Sequence, residues 1–136
     1  MYEITYRLLK NNGFENYEIS NWSKNNKKSL HNLKYWTMKP YIGIGPGSHS
    51  YIKNKRFSIS KPPKKYIDFF LNRTKNICTI DEKIEYLKEN NILDVFEIQT
   101  QENEILEYLM LSLRLKNGID TYHFKNKYKL DFEDLY

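Results

Sequence analysis

Residues 2–20 have the sequence YEITYRLLKNNGFENYEIS, and this stretch decides the fold class. Apolar side chains recur at helical spacing over residues 2–11, which predicts an amphipathic helix. Gly13 ends that helix, because glycine and the preceding asparagines tolerate the left-handed backbone of a C-cap. Tyr17 and Ile19 then alternate with polar residues, as in a strand. Since helix–glycine–strand is the usual second half of an α/β unit, we predict an α/β protein.

Short strands and helices are predicted in the rest of the chain. Strand-like sequence covers residues 41–52, interrupted by glycines, and a partner strand is expected at 56–60. The Pro62-Pro63 pair suits the first turn of a helix. The longest helix is expected over residues 101–117. The predicted helix-capping residues of the second half are Asp81, Thr100 and Asp120.

The composition excludes several classes of protein. Hydrophobic residues make up 40% of the 136 residues and charged residues 29%, which is typical of an ordered chain. No apolar run approaches the roughly 20 residues of a transmembrane helix, and the sequence does not open with a signal-peptide pattern. The one cysteine, Cys78, cannot form an internal disulfide or hold a zinc or iron–sulfur site by itself. We therefore expect a cytoplasmic protein without a membrane span.

The charges are unevenly distributed along the chain. Residues 1–76 carry 15 Lys and Arg against 4 Asp and Glu, a net charge of +11, whereas residues 77–136 carry 7 against 13, a net charge of −6. A basic half favours an anionic partner, such as nucleic acid, phosphate or a ligand with carboxylates. The alternative is a solvated, lysine-rich surface. The lysines at 24, 27 and 28 lack the interleaved aromatic motif of an RNA-binding sheet, so nucleic acid is not the favoured partner.

The segment HNLKYW, residues 31–36, concentrates side chains that can bind a cofactor. Histidine is a common ligand of haem iron and of metal ions. Tyrosine and tryptophan offer flat apolar faces with polar edges, which suit a planar ring such as a porphyrin. The alternative is ordinary core packing of an aromatic cluster.

The segment YIGIGPGSHS, residues 41–50, is a strand that runs into a glycine loop. Glycines allow a ligand to approach the backbone closely. The segment is neither a dinucleotide fingerprint opening a helix nor a P-loop. A simple tight turn is the alternative. His123, beside the capping Asp120, and Cys78 are assigned structural roles.

The order of these motifs resembles the C-terminal half of HemW proteins, which are radical SAM proteins related to HemN, the oxygen-independent coproporphyrinogen III oxidase. The resemblance covers nearly the whole chain, and the H-N-x-x-Y-W motif is its most specific part. The segments that carry it are YEISNWSK (17–24), HNLKYW (31–36), YIGIGPGSHSY (41–51), KYI (65–67), EYLMLSLRL (107–115) and GID (118–120).

The resemblance implies that the last helix–strand part of a radical SAM partial (β/α) barrel occupies residues 1–60. An incomplete, mostly helical HemN-type C-terminal domain would occupy residues 61–136. The sequence is therefore expected to be a fragment, truncated at both ends. The family binds S-adenosylmethionine (SAM) and a 4Fe–4S cluster held by C-x-x-x-C-x-x-C, a motif that this chain lacks.

The same resemblance assigns site residues. The residues implied to bind haem are His31, Asn32, Tyr35 and Trp36. His31 is the candidate iron ligand, and its alternative role is to hold the neighbouring loop by hydrogen bonds. The residues implied to lie on the SAM or haem side of the barrel are Ser23, Gly43, Gly45, Gly47 and His49. No catalytic residue is assigned.

Three functions follow as hypotheses. The first is a fragment of a haem chaperone that binds haem and passes it to an acceptor protein. The second is a fragment of an oxygen-independent coproporphyrinogen III oxidase of haem biosynthesis, inactive by itself because it has no radical centre. The third is a basic module that binds nucleic acid.

The cysteine count predicts that no 4Fe–4S cluster can be reconstituted in this chain. Such a cluster needs at least three thiolate ligands from the protein, and the chain supplies Cys78 alone. Anaerobic reconstitution with iron and sulfide, followed by desalting, should leave protein without bound iron or visible absorption. Stoichiometric cluster incorporation in the monomer would contradict this prediction.

Overall fold

The computed structural model describes residues 1–72 and 77–135, and within them the chain is an α/β protein, as predicted. Its helices and strands form two compact units, Met1–Lys39 with Gln101–Tyr136, and Pro40–Thr100. In chain order the elements are α1 (Tyr2–Asn11), β1 (Phe14–Asn16), β2 (Trp22–Lys24), α2 (Leu30–Trp36), β3 (His49–Ile52), β4 (Lys55–Ile59), α3 (Pro63–Leu71), α4 (Ile80–Glu89), β5 (Leu93–Ile98), α5 (Gln101–Ser112) and α6 (Thr121–Tyr128).

The first unit combines an N-terminal segment with α5 and α6. Its strands β1 and β2 pair antiparallel. The core lies between α5 and α6, where Tyr108 and Phe124 pack with ring centroids 5.9 Å apart. Further members of this core are Ile105, Tyr128, Met38, Leu109, Ile119 and Phe132. Burial of aromatic and aliphatic surface at this contact is the main source of stability for the unit.

The second unit is built on a three-stranded antiparallel sheet in the order β3–β4–β5. The β3–β4 turn is Lys53-Asn54, and both residues have positive φ angles, as a type I′ hairpin requires. Helix α4 is joined to this hairpin by Asp81, which accepts hydrogen bonds from Lys53 at 2.9 Å and Lys55 at 2.7 Å. The bonds from Lys55 and then Lys53 hold the pKa of the Asp81 carboxyl below its usual value.

Helix α1 begins and ends at its predicted positions, and α6 begins directly after its predicted cap, Asp120. Helix α1 covers residues 2–11, and α6 begins after Asp120, whose carboxylate accepts the His123 backbone N–H at 2.8 Å. Both helices carry strong local signals, a glycine stop in one case and a side-chain N-cap in the other. Strand β4 also lies within one residue of its predicted range.

Other boundaries differ from the predictions. Helix α4 is capped by Thr79, which forms a capping box with Glu82, and Asp81 serves the lysine pair instead. Helix α5 ends at Ser112, because the following residues leave the helix and pair with residues 17–19. Strand β5 was not predicted, since its two partially buried residues, Leu93 and Phe96, do not alternate with period two.

Within the described residues, no helix is long and apolar enough to cross a membrane.

The division into a barrel part and a C-terminal domain at residue 60 stays a prediction. It concerns domain boundaries in a longer protein, whereas the two compact units reflect contacts within this chain.

Substitution of Phe124 by alanine should destabilise the first unit by about 3–5 kcal/mol, because it empties a fully buried position between α5 and α6. Tyr122→Ala is the matched control, since Tyr122 is 79% exposed on the same helix. Denaturant unfolding followed by far-UV circular dichroism measures both variants. Equal effects of the two substitutions would contradict this description of the core.

Candidate functional site

The HNLKYW segment forms α2, a helix of seven residues with a well-defined start. The Ser29 side chain caps it by accepting the Asn32 backbone N–H at 3.3 Å. The Ser29 backbone N–H in turn donates to the hydroxyl of buried Tyr17 at 3.2 Å. The start of the helix is thus attached to the segment that follows β1. At its other end, the Thr37 hydroxyl donates to the carbonyl of Leu33 at 2.6 Å.

His31 and Tyr35 lie on one face of α2, because residues four apart are neighbours on a helix. The two rings make an edge contact with centroids 5.1 Å apart. The Tyr35 hydroxyl lies 3.5 Å from His31 Nε2, at the outer limit of hydrogen bonding. The His31 side chain is exposed, and its Nδ1 has no hydrogen-bond partner among the described residues. An imidazole in this position can coordinate a metal ion through a ring nitrogen.

Trp36 lies at the end of α2 against the segment that follows α5. The Arg114 guanidinium carbon is 4.2 Å from the centre of the Trp36 ring, a cation–π contact. Both side chains are half-buried. Trp36 Nε1 and Arg114 Nε are enclosed and have no hydrogen-bond acceptor among the described residues. This pair fixes one side of α2 and leaves the His31 face open.

Ser23 lies in β2, opposite Glu15 in the β1–β2 register. Its hydroxyl is buried and has no hydrogen-bond partner within residues 1–72 and 77–135. The turn before it depends on Glu18, which is 1% exposed. The Glu18 carboxylate accepts the Ser20 backbone N–H at 3.2 Å and also binds the Asn21 side-chain amide. Ser23 is therefore held in place by local structure, with its hydroxyl available to accept or donate a hydrogen bond.

The glycine segment, residues 41–50, is packed tightly against its own continuation into β3. A Cβ atom on Gly43 would lie only 2.3 Å from the His49 carbonyl oxygen, so no other residue fits there without a shift of the backbone. The Gly43 N–H donates to Ser50 Oγ at 3.0 Å. Gly45 has a φ of +106°, in the region that favours glycine. The exposed side chain of His49 starts β3.

An apolar cavity of about 380 Å³ lies in the second unit and was not predicted from the sequence. Its wall includes Gly43 and Gly45 of the glycine segment, while α3 and α4 contribute aromatic and aliphatic side chains. The members from these helices include Tyr66, Phe69, Phe70, Ile84 and Leu87. Because these residues are far apart along the chain, no local sequence pattern indicates the cavity. Lys83 is the one charged residue among the described side chains that line it.

The predicted site residues fall into two groups. The four residues of the H-N-x-x-Y-W motif and Ser23 lie in the first unit, whereas Gly43, Gly45, Gly47 and His49 lie in the second. Within the first unit the structure adds Arg114 to the motif, through its contact with Trp36. The sequence signal for Arg114 was its place in the EYLMLSLRL segment, residues 107–115, which carries part of the family resemblance.

The residues present do not fit an iron–sulfur cluster. Cys78 is exposed, and the described residues contain no group of three histidine, cysteine or acidic side chains that could hold a metal ion together. A haem group makes a different demand, one axial donor and flat apolar surface. The exposed His31 imidazole is a donor of that type, and the Tyr35 ring lies beside it.

Curated relatives that match this chain over its full length carry the name haem chaperone HemW. It is 31% identical to the haem chaperone HemW of Lactococcus lactis over 136 residues, which are 100% of this chain and 31% of that protein. It is 33% identical to the haem chaperone HemW of Bacillus subtilis, with 100% of this chain and 32% of that protein covered. The chain thus spans about a third of the length of the curated relatives that it matches.

A shorter match extends to a eukaryotic protein. Over 49 residues, 36% of this chain and 11% of the relative, it is 49% identical to the mitochondrial radical S-adenosyl methionine domain-containing protein 1 of Danio rerio. No protein-family model matches the sequence.

Among solved structures, the chain resembles coproporphyrinogen III oxidase (HemN) from Escherichia coli, described as a radical SAM enzyme. The TM-score is 0.63 at 14% sequence identity, and the match covers 98% of this chain and 30% of the other. At this identity the likeness establishes the fold, and it confirms the predicted relation to a radical SAM fold.

Substitution of Gly43 by alanine should destabilise the second unit by about 1–3 kcal/mol, because the added methyl group collides with the His49 carbonyl. Ile44→Ala is the control, since Ile44 is 89% exposed and its loss should change the free energy of unfolding by no more than about 0.5 kcal/mol. Amide hydrogen exchange in β3 and β4 localises the effect. Unchanged exchange in Gly43→Ala would contradict the close approach.

Proposed function

Since this chain is a HemW-like radical SAM sequence, we propose that it carries the haem-binding segment of a haem chaperone. The observation that carries the proposal is the exposed imidazole of His31 on the H-N-x-x-Y-W helix. Its relatives over the full length of this chain are named haem chaperones, and haem iron needs an axial donor of this type.

The helix α2 suits this role physically. Its capped start and the contact of Trp36 with Arg114 hold the helix, so the His31 side chain is presented without further ordering of the backbone. Tyr35 limits the rotation of the imidazole by an edge contact on the same face. Pre-organisation of the donor lowers the entropy cost of binding. Asn32, next to the donor, is proposed to complete the haem-binding set.

A chaperone also has to release its ligand. A single axial histidine on an exposed helix face gives haem a site that an acceptor protein can reach. We propose that the cytoplasmic acceptor takes haem from this face. The basic N-terminal half, with a net charge of +11 over residues 1–76, favours the approach of a ligand with carboxylates.

SAM and a 4Fe–4S cluster belong to the radical SAM family, and together they generate a radical when bound. The residues that the family resemblance implies on the SAM or haem side of the barrel are Ser23 in the first unit and, in the second unit, Gly43, Gly45, Gly47 and His49. The unpaired Ser23 hydroxyl and the exposed His49 side chain support polar contacts to such a ligand. The cluster itself has no ligand set here, so no step of the proposed function depends on it.

The oxidase alternative has less support. The likeness to coproporphyrinogen III oxidase rests on 14% identity and therefore concerns the fold alone. The relatives above 30% identity over the whole chain are named haem chaperones. No observation in the described residues favours decarboxylation of a porphyrinogen or binding of nucleic acid over haem binding.

We expect His31→Ala to weaken haem binding at least tenfold and to shift the Soret band of the complex, because the axial donor is lost. His49→Ala and His123→Ala are matched controls, since they remove the other two histidines of the chain, both also exposed. Titration with haem, followed by absorption spectroscopy, measures all three variants against the parent. Circular dichroism verifies that each variant is folded.

The assignment is wrong if His31→Ala keeps the affinity and Soret position of the parent while a control loses them. Equal losses in all three folded variants would also contradict it, because His31 would then have no special role.

A further inference from the structure

Arg114 occupies a fixed position next to the H-N-x-x-Y-W motif. Its backbone carbonyl accepts the Ile19 N–H at 2.9 Å, which holds the segment after α5 against the segment after β1. Its guanidinium lies over the Trp36 ring at 4.2 Å. A guanidinium stacked in this way is pre-organised, because stacking restricts the side chain while leaving its N–H edge available to an acceptor.

No carboxylate pairs with Arg114 among residues 1–72 and 77–135. Two lysines of the same unit do form ion pairs, Lys125 with Asp131 at 2.5 Å and Lys127 with Glu104 at 2.6 Å. Glu18 belongs to the segment that pairs with the chain after α5, but its carboxylate binds Ser20 and Asn21 within its own turn. Arg114 therefore forms no ion pair with an acidic group among the described residues.

Two donors at this contact also lack acceptors. Arg114 Nε and Trp36 Nε1 are both enclosed, and neither donates to any described residue. Because both atoms are enclosed, an outside ligand reaches the half-buried Arg114 side chain through the terminal N–H groups of its guanidinium. The chemistry that fits a guanidinium is a carboxylate, which accepts hydrogen bonds through two oxygens.

We propose that Arg114, supported by Trp36, binds a propionate carboxylate of haem held at α2. This inference rests on the proposed function, because it takes haem as the ligand. Trp36 follows His31 by five residues, about 7.5 Å along the helix axis and about 140° around it, so haem has to reach around α2 for its propionate to meet Arg114. The proposed iron ligand, His31, and the proposed hydrogen-bond donor to the carboxylate, Arg114, are thus separate groups. Together they would distinguish a porphyrin with propionates from a porphyrin without them.

The test compares haem with its dimethyl ester, which has the same iron and ring but no carboxylates. The parent chain should bind haem about tenfold more tightly than the ester, because the ester cannot form the charged hydrogen bonds. Arg114→Gln should bind both ligands equally, through loss of affinity for haem alone. Arg114→Lys should keep part of the preference, because it keeps the charge without the planar stack. Absorption titration gives all the affinities.

Lys116→Gln is the matched control, because it also removes one positive charge, from an exposed side chain two residues after Arg114. It should keep the preference of the parent. If Arg114→Gln does not fold, Arg114→Met provides the same comparison, because its unbranched side chain preserves packing on Trp36. A purely structural role of Arg114 would weaken both ligands together and leave their ratio unchanged.

Three results would overturn the inference. One is a parent that binds haem through His31 without preferring it to the ester, which leaves the proposed function intact. A second is a neutral Arg114 variant that keeps the parental preference, or a Lys116→Gln variant that loses it equally. The third is a parent that binds neither ligand, which overturns the proposed function as well.

Discussion

The short pairing between residues 17–19 and residues 114–116 is the constraint that positions α2 in the first unit. It consists of backbone hydrogen bonds from Ile19 to Arg114 at 2.9 Å and from Lys116 to Tyr17 at 3.2 Å. Tyr17 also holds the start of α2 through its hydroxyl, and Arg114 holds the end of α2 through Trp36. Because both ends of α2 are attached to this pairing, the orientation of His31 follows from it.

Local signals predicted the elements that need no distant partner. Helix α1 was predicted from its amphipathic pattern and glycine stop, and α6 from the side-chain cap at Asp120. Elements that depend on pairing with residues far away in the chain were harder to predict from the sequence. Strand β5 forms because β4 is there to pair with it, and α5 stops at Ser112 because the next residues pair with the N-terminal segment. Helix α2 was not predicted, since seven residues are too few to show a reliable period.

For the candidate site, too, the sequence predicted the residue types but not the contacts between distant segments. The chemical types in the H-N-x-x-Y-W motif, together with the family resemblance, were sufficient to select His31 and its neighbours. The surroundings of those residues could not be predicted from the sequence, because the stacking of Arg114 on Trp36 joins segments that are far apart in the chain. Similarly, the close approach of Gly43 to His49 follows from the path of the backbone and not from the glycine spacing alone.

The first unit is assembled from two separated pieces of chain, and the whole of Pro40–Thr100 lies between them in sequence. The entropy of closing such a loop rises only with the logarithm of its length, so added residues in this stretch cost the first unit little free energy. A longer turn within Pro40–Thr100 therefore changes the closure cost of the first unit by only a small amount. The pairing that holds helix α2 is consequently insulated from changes in the length of the intervening chain.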